Sequence, residues 1–235
     1  MSNDYNKLAD DYQKTAEKPD KKYSILPTVL KLAGNLRGKT VVDFGCGDGY
    51  FTRELAQNAD RVIGLDNSEE QINLANQQPV PNVKYELQDI FKSNLPQMDV
   101  AVVPFVVNYA KSTEQLESFF QSIYESLNND GWAVFVVDLP TGKDLRRFGA
   151  IKSVDKDEDG ATIKIELFND SQLVCTLAAT YFRPERLETT LIKAGFRKVT
   201  WHKPIVSEAG IAALGSDFWN GYPNNCELGY ITAGK

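Results

Sequence analysis

Three aspartates that end apolar runs, with three glycines behind the first of them, are the groups in this chain best placed to do chemistry. Val41-Val42-Asp43-Phe44-Gly45-Cys46-Gly47-Asp48-Gly49-Tyr50-Phe51-Thr52 reads as a short strand, a glycine-rich turn and the start of a helix. Such a turn lets a ligand approach the backbone closely. Its side chains are wrong for phosphate. The glycines fall as G-x-G-x-G, and Tyr50 stands where a G-x-G-x-x-G fingerprint begins to fail; no Lys lies between 41 and 52, as a phosphate loop requires. Asp43 and Asp48 would repel a pyrophosphate and hold a cation. Two further acids, Asp66 and Asp89, follow at equal intervals of 23 residues, each closing an apolar run. Equal spacing fits one cationic, phosphate-free ligand laid across three consecutive loops. Any one of these acids alone is equally well read as a solvated strand end.

These residues need a scaffold that brings strand ends together. The pattern predicts strands at 40–44, 61–65, 83–87, 100–106 and 132–137, with helices at 50–58 and 68–77 and a third opened by Ser112 as N-cap. Leu116, Phe119, Phe120, Ile123 and Leu127 mark that third helix's apolar face, and Asn128-Asn129-Asp130-Gly131 reads as its stop turn. Alternating strands and helices imply a parallel sheet covered on both faces, with ligands at the carboxyl ends of the strands. Before this, residues 1–38 read as helical and polar, with Tyr5, Leu8, Ala9 and Tyr12 at helical spacing and Gly34 as a stop. After Leu139 the pattern changes. Segments 163–168 and 173–181 alternate as a hairpin, Pro184 opens a helix closed by Gly195, and the last two strands fall at 198–203 and 227–232.

Composition narrows the partners. The 235 residues suit one α/β domain with an insertion, and the formal net charge of −6 argues against nucleic acid, which needs clustered Lys and Arg. The sequence offers no membrane-length apolar run and no apolar N-terminal signal core. Cys46, Cys175 and Cys226 are odd in number and lack metal spacing, which points to free thiols, a cytoplasmic compartment and no metal site. His202 is the one histidine, so a His-based triad is disfavoured.

The Asp-Phe-Gly-Cys-Gly-Asp-Gly run resembles the cofactor loop of class I S-adenosylmethionine-dependent methyltransferases, hh(D/E)hGxGxG, and the resemblance extends well over 41–137 and loosely beyond. It implies a three-layer Rossmann-like α/β fold with a mostly parallel seven-stranded sheet and an antiparallel C-terminal strand. It also implies a single domain over 1–235: an N-terminal helical lid at 1–38, a cofactor-binding half at 39–138, and a substrate-side half at 139–235 carrying the hairpin. By resemblance the cofactor is S-adenosylmethionine. Gly45, Gly47, Gly49 and the backbone of Cys46 would meet its methionine part, and Asp43 would offset its positive charge. Asp66 and Asn67 would bind the ribose hydroxyls, while Gln88, Asp89 and Ile90 would contact adenine, and Pro104 follows strand four beside the cofactor. Tyr5 and Tyr12 either close over the cofactor or are packing residues.

Pro104-Phe105-Val106-Val107-Asn108-Tyr109 lacks the acid and second proline of (D/N/S)-P-P-(Y/F/W), the form carried at this place by enzymes that methylate amino groups of nucleic acids and some proteins. It looks more like small-molecule enzymes, including toxoflavin-synthase-like N-methyltransferases. The expected acceptor is therefore a small, planar heterocyclic or aromatic molecule. Asn108, Tyr109 and Tyr181 are the candidate catalytic groups; Asp138, Trp219 and Tyr222 are expected to line the acceptor side, whereas Phe218 reads as core. A non-catalytic S-adenosylmethionine-binding protein, or a protein or RNA methyltransferase, is the alternative. The oligomeric state is not legible.

Overall fold

A computed structural model describes residues 18–92, 94–169 and 172–235. The main sheet has seven strands: β1 Thr40–Phe44, β2 Arg61–Asp66, β3 Val83–Leu87, β4 Met98–Pro104, β5 Leu127–Asp138, β10 Arg197–His202 and β11 Leu228–Gly234. Their order is β10-β11-β5-β4-β1-β2-β3. β1 pairs in parallel with both β2 and β4, and β11 runs antiparallel to both β5 and β10. The chain moves outward from β1 to β2 and β3, then returns to the other side of β1 as β4. That reversal places a crevice at the carboxyl ends of β1 and β4, where Asp43 and Pro104 lie.

Side chains alternate across the sheet with period two, and each face has its own helical layer. On one face Val41, Val62, Val100, Val102, Val134 and Val136 pack against α1 (Leu26–Ala33) and α2 (Tyr50–Ala56). On the other, Val42, Phe44, Val103 and Phe135 pack against α4 (Thr113–Ser126) and α5 (Pro184–Lys193). Between these, α3 (Glu69–Asn76) starts at Ser68, whose hydroxyl caps the Gln71 N–H; Ser112 caps α4 at Gln115 in the same way. Gly34 ends α1 at φ 70°. The part of the expected N-terminal lid that is described is thus a sheet-covering helix: Val29 and Ala33 are fully buried. Tyr5 and Tyr12 lie outside the described residues.

Three expectations need correction. Asn128–Gly131 is not a stop turn. α4 ends at Ser126, and the chain enters β5 directly at Leu127, with a register shift against β4 and Asp130 at φ 62°. The insertion is larger than a hairpin. β6 Asp144–Leu145, β7 Ala150–Val154, β8 Thr162–Asn169 and β9 Gln172–Thr180 form a separate four-stranded antiparallel sheet. It has a small core of its own around Ile163, Ile165, Leu167, Cys175 and Leu177. Past β10, α6 (Glu208–Leu214) and α7 (Tyr222–Asn225) occupy what reads in sequence as a plain loop. Among the described residues, no helix is long and apolar enough to cross a membrane.

Candidate active site

The turn after β1 is shaped by its glycines. Gly45, Gly47 and Gly49 all have positive φ, at 66°, 55° and 82°. A Cβ on Gly45 would stand 2.6 Å from the Val106 side chain, and one on Gly49 would strike the Tyr85 hydroxyl. Gly49 is therefore required by packing under the loop, and it does not line the cavity. Gly45, Cys46 and Gly47 do. The Cys46 thiol is buried, and burial, with Asp43 and Asp66 nearby, pushes its pKa well above the ordinary thiol value. It contributes backbone and bulk, and the thiolate needed for nucleophilic chemistry is suppressed.

Around this turn the fold assembles a cavity of about 490 Å³, within the range of small-molecule sites. The ends of β2 and β3 supply Asp66, Asn67, Asp89 and Ile90 to its wall. Asp66 accepts from the N–H of Gly47 and of Ser68, at 2.9 Å each, which ties the loop of β1 to the end of β2. Burial raises its pKa, while the backbone N–H bonds oppose the rise. Asp89 accepts from Phe91 N–H at 3.1 Å and pairs with Lys92 at 2.7 Å. The inserted sheet forms the facing wall through Gly160–Thr162 and Ala178–Thr180. Small side chains there leave room for a ligand, a signal that was readable in Ala178-Ala179 but weak.

Asp43 lies beneath the loop, fully buried, and does not line the cavity. Its Oδ2 accepts from the Thr52 hydroxyl at 2.6 Å, and its Oδ1 has no hydrogen-bond partner. Burial is the largest cause raising its pKa to about 7; the Asp66 charge adds to the rise, while Thr52 and Lys21 oppose it. A half-satisfied buried carboxylate under an open cavity suits a cationic ligand and disfavours a polyanionic one.

After β4, Phe105 sits at φ 63°, a strained conformation for an aromatic residue. It lines the cavity with Pro104, Asn108 and Tyr109. Asn108 is not the catalytic group its position suggests. Its Nδ2 donates to the carbonyls of Thr180 (2.9 Å) and Asp138 (3.4 Å), and its Oδ1 accepts from Asp138 N–H at 2.8 Å. Every polar atom of its side chain is engaged in fastening the inserted sheet to β5. Tyr181 is also misplaced as a catalytic group: it lies outside the cavity, with its hydroxyl bonded to Asp157. Gln88 points away, donating to the Asn94 carbonyl at 3.0 Å.

Trp219 and Tyr222, expected on the acceptor side, do not line the cavity. Both are buried with Phe148 in a separate cluster, and the Trp219 indole donates to the Gly210 carbonyl at 2.9 Å. Burial of large rings against one another outweighed their use on a surface. Asp138 faces a second, smaller chamber, which shares Lys21, Phe105 and Tyr109 with the main cavity. Lys21 is a functional candidate that sequence reading missed. It is buried on the wall between the two spaces, with its ammonium 5.1 Å from the Tyr50 ring centre. Burial lowers its pKa to about 8, with Asp48 opposing. Nothing in a polar N-terminal stretch marks one lysine as buried.

The fold and this crevice are those of a methyltransferase domain. A profile of the methyltransferase-domain family matches residues 12–200, and the chain belongs to that family. A ubiquinone biosynthesis O-methyltransferase of Coxiella burnetii is 36% identical over 92 residues, which are 37% of this chain and 39% of that protein. The chain thus spans well under half the length of that curated relative. Among solved structures, an S-adenosylmethionine-dependent methyltransferase from Mesorhizobium loti superposes with TM-score 0.65 at 18% identity, covering 94% of this chain and 100% of that one. An amino pentose methyltransferase from Micromonospora echinaspora, solved with S-adenosylmethionine bound, gives TM-score 0.63 at 14% identity, covering 100% and 98%.

Proposed function

We propose that the chain transfers a methyl group from S-adenosylmethionine to a small, planar acceptor held between the glycine loop and the inserted sheet. One observation carries this reading: a single cavity joins the Gly45–Gly47 turn, Asp66 and Asp89 to an aromatic wall of Phe105 and Tyr109. Asp66 would hold the ribose hydroxyls, since a carboxylate has acceptor capacity beyond the backbone N–H bonds that Asp66 already accepts. Asn67 lies beside it, Ile90 would pack on the adenine, and Asp89 would accept from its amine. Asp43 would balance the cofactor's positive charge from below.

The cofactor supplies an activated methyl on a sulfonium, a good leaving group. The protein's share is alignment: fixing donor and nucleophile in line contributes on the order of 7–11 kcal/mol. Phe105 and Tyr109 would orient a flat acceptor by stacking, and the inserted sheet would exclude water. Two of the proteins named above, a ubiquinone biosynthesis O-methyltransferase and an amino pentose methyltransferase, act on small molecules by their names, which supports a small acceptor. The net charge of −6 disfavours nucleic acid.

Calorimetry with S-adenosylhomocysteine, NAD and ATP tests the cofactor, and a screen of phenols and heterocyclic amines with radiolabelled S-adenosylmethionine tests the acceptor. Tight binding of NAD without S-adenosylhomocysteine, or label entering only RNA or protein extracts, would refute the reading.

A further inference from the structure

Helix α3 turns three side chains into the protein: Gln71, Ile72 and Ala75. Two of them are apolar, as burial favours, and Gln71 is the exception. It is 3% exposed. Its backbone N–H is taken by the Ser68 cap, but its side-chain amide makes no hydrogen bond among the described residues. A buried amide without partners costs stability that an apolar side chain of the same length would not. The residue borders the cofactor cavity. Its amide faces the glycine turn: a Cβ on Gly47 would stand 3.4 Å from Gln71 Oε1. Gly47 in turn donates its N–H to Asp66 at 2.9 Å. Gln71, Gly47 and Asp66 therefore form one contiguous stretch of the cavity wall.

We propose that Gln71 holds the cofactor by its ribose, its Nε2 donating to a hydroxyl oxygen whose own proton goes to Asp66. The inference rests on the S-adenosylmethionine reading of this cavity and adds a residue to it. The chemistry of the two side chains is complementary. A ribose hydroxyl has a proton to give and lone pairs to fill, and an ionised carboxylate can only accept. Asp66 already accepts from the N–H groups of Gly47 and Ser68, and its remaining acceptor capacity meets the hydroxyl protons. The hydroxyl lone pairs still need a donor. A neutral amide supplies one without placing a further positive charge beside a cationic cofactor, as a lysine or arginine would. An apolar side chain would leave those lone pairs unmet in a wall that excludes water. Carboxylate and amide together select an intact ribose over a deoxyribose.

The test is isothermal titration of S-adenosylhomocysteine and its 2′-deoxy and 3′-deoxy analogues into wild type and Gln71→Met. Methionine is close to glutamine in length and has no N–H to donate. Wild type is expected to bind S-adenosylhomocysteine about three- to tenfold more tightly than Gln71→Met, the range of one net hydrogen bond. For one of the deoxy analogues that ratio should fall to about one, because the hydroxyl it depends on is gone. A glutamine that only shapes the wall would give the same ratio for all three ligands. That result, or equal affinity of the two proteins for S-adenosylhomocysteine, overturns the proposal. Should the variant not fold, or both analogues bind too weakly to measure, a wild-type crystal grown with S-adenosylhomocysteine decides instead. Gln71 Nε2 within hydrogen-bond distance of a ribose hydroxyl oxygen supports the proposal, and a ribose bound without Gln71 overturns it. Failure of the cofactor reading has a different signature: wild type would not bind S-adenosylhomocysteine at all, which overturns both ideas. Tight binding with an unvarying ratio overturns the role of Gln71 alone.

Discussion

Asp43→Asn should abolish a pH dependence of stability and the proton release that accompanies cofactor binding. In the protein without cofactor the Asp43 carboxyl is raised from 3.8 to about 7. Below about pH 4 it is protonated in both folded and unfolded chains and adds no pH dependence. Between about 4 and 7 only the folded chain holds the proton, so rising pH destabilises the fold through that window. Above about 7 the full cost is present. At 1.36 kcal/mol per pH unit the rise amounts to on the order of 4 kcal/mol. Burial is complete, so solvent screening does not discount it. Asn keeps the shape and cannot ionise, so the variant should lose this slope and be more stable than wild type at pH 8 by a similar order.

The same carboxylate should matter in the opposite sense for binding. A cationic cofactor favours its ionised form, so S-adenosylmethionine should expel a proton near neutral pH. Calorimetry in two buffers of different ionisation enthalpy measures that proton, and thermal melts from pH 4 to 8 measure the slope. Parallel stability profiles for wild type and Asp43→Asn, together with no buffer dependence of the binding heat, would refute the argument that Asp43 is held half-ionised for a cation.

Two further outcomes are expected. Asp66→Ala should weaken S-adenosylhomocysteine at least tenfold, because hydrogen bonds to a charged group are each worth about 1.5–3 kcal/mol; it should also loosen the loop, since Gly47 N–H loses its acceptor. Isothermal titration beside an Asp66→Asn control checks this, and unchanged affinity would reduce Asp66 to a loop tie. Trp219→Ala should cost about 3–5 kcal/mol of stability while leaving S-adenosylhomocysteine affinity intact below its melting point, because the ring belongs to the buried Phe148 cluster. Lost affinity without lost stability would return Trp219 to the ligand site.

Local sequence was enough for the order of strands and helices in the cofactor-binding half. Strand, turn and helix there are set by neighbouring residues: glycines that accept positive φ, Ser68 and Ser112 as caps, and apolar alternation along β1, β2 and β4. The acids at 43, 66 and 89 fall at or within two residues of the ends of β1, β2 and β3, and parallel pairing carries those ends to one edge. Tertiary structure alone decided where the side chains beyond that half, and Asn108 with them, are engaged. Asn108 looks free in sequence, and its partners are 30 and 72 residues away. Trp219 and Tyr222 suit a binding wall or a core equally by type, and the distant Phe148 drew them into a core. Strand β7 is recognisable only through its pairing with β8, and it delivers Lys152 to Asp138. Residue type determines what a side chain can do. Where charges are buried together depends on which distant strands pair, and that information is spread over the whole chain.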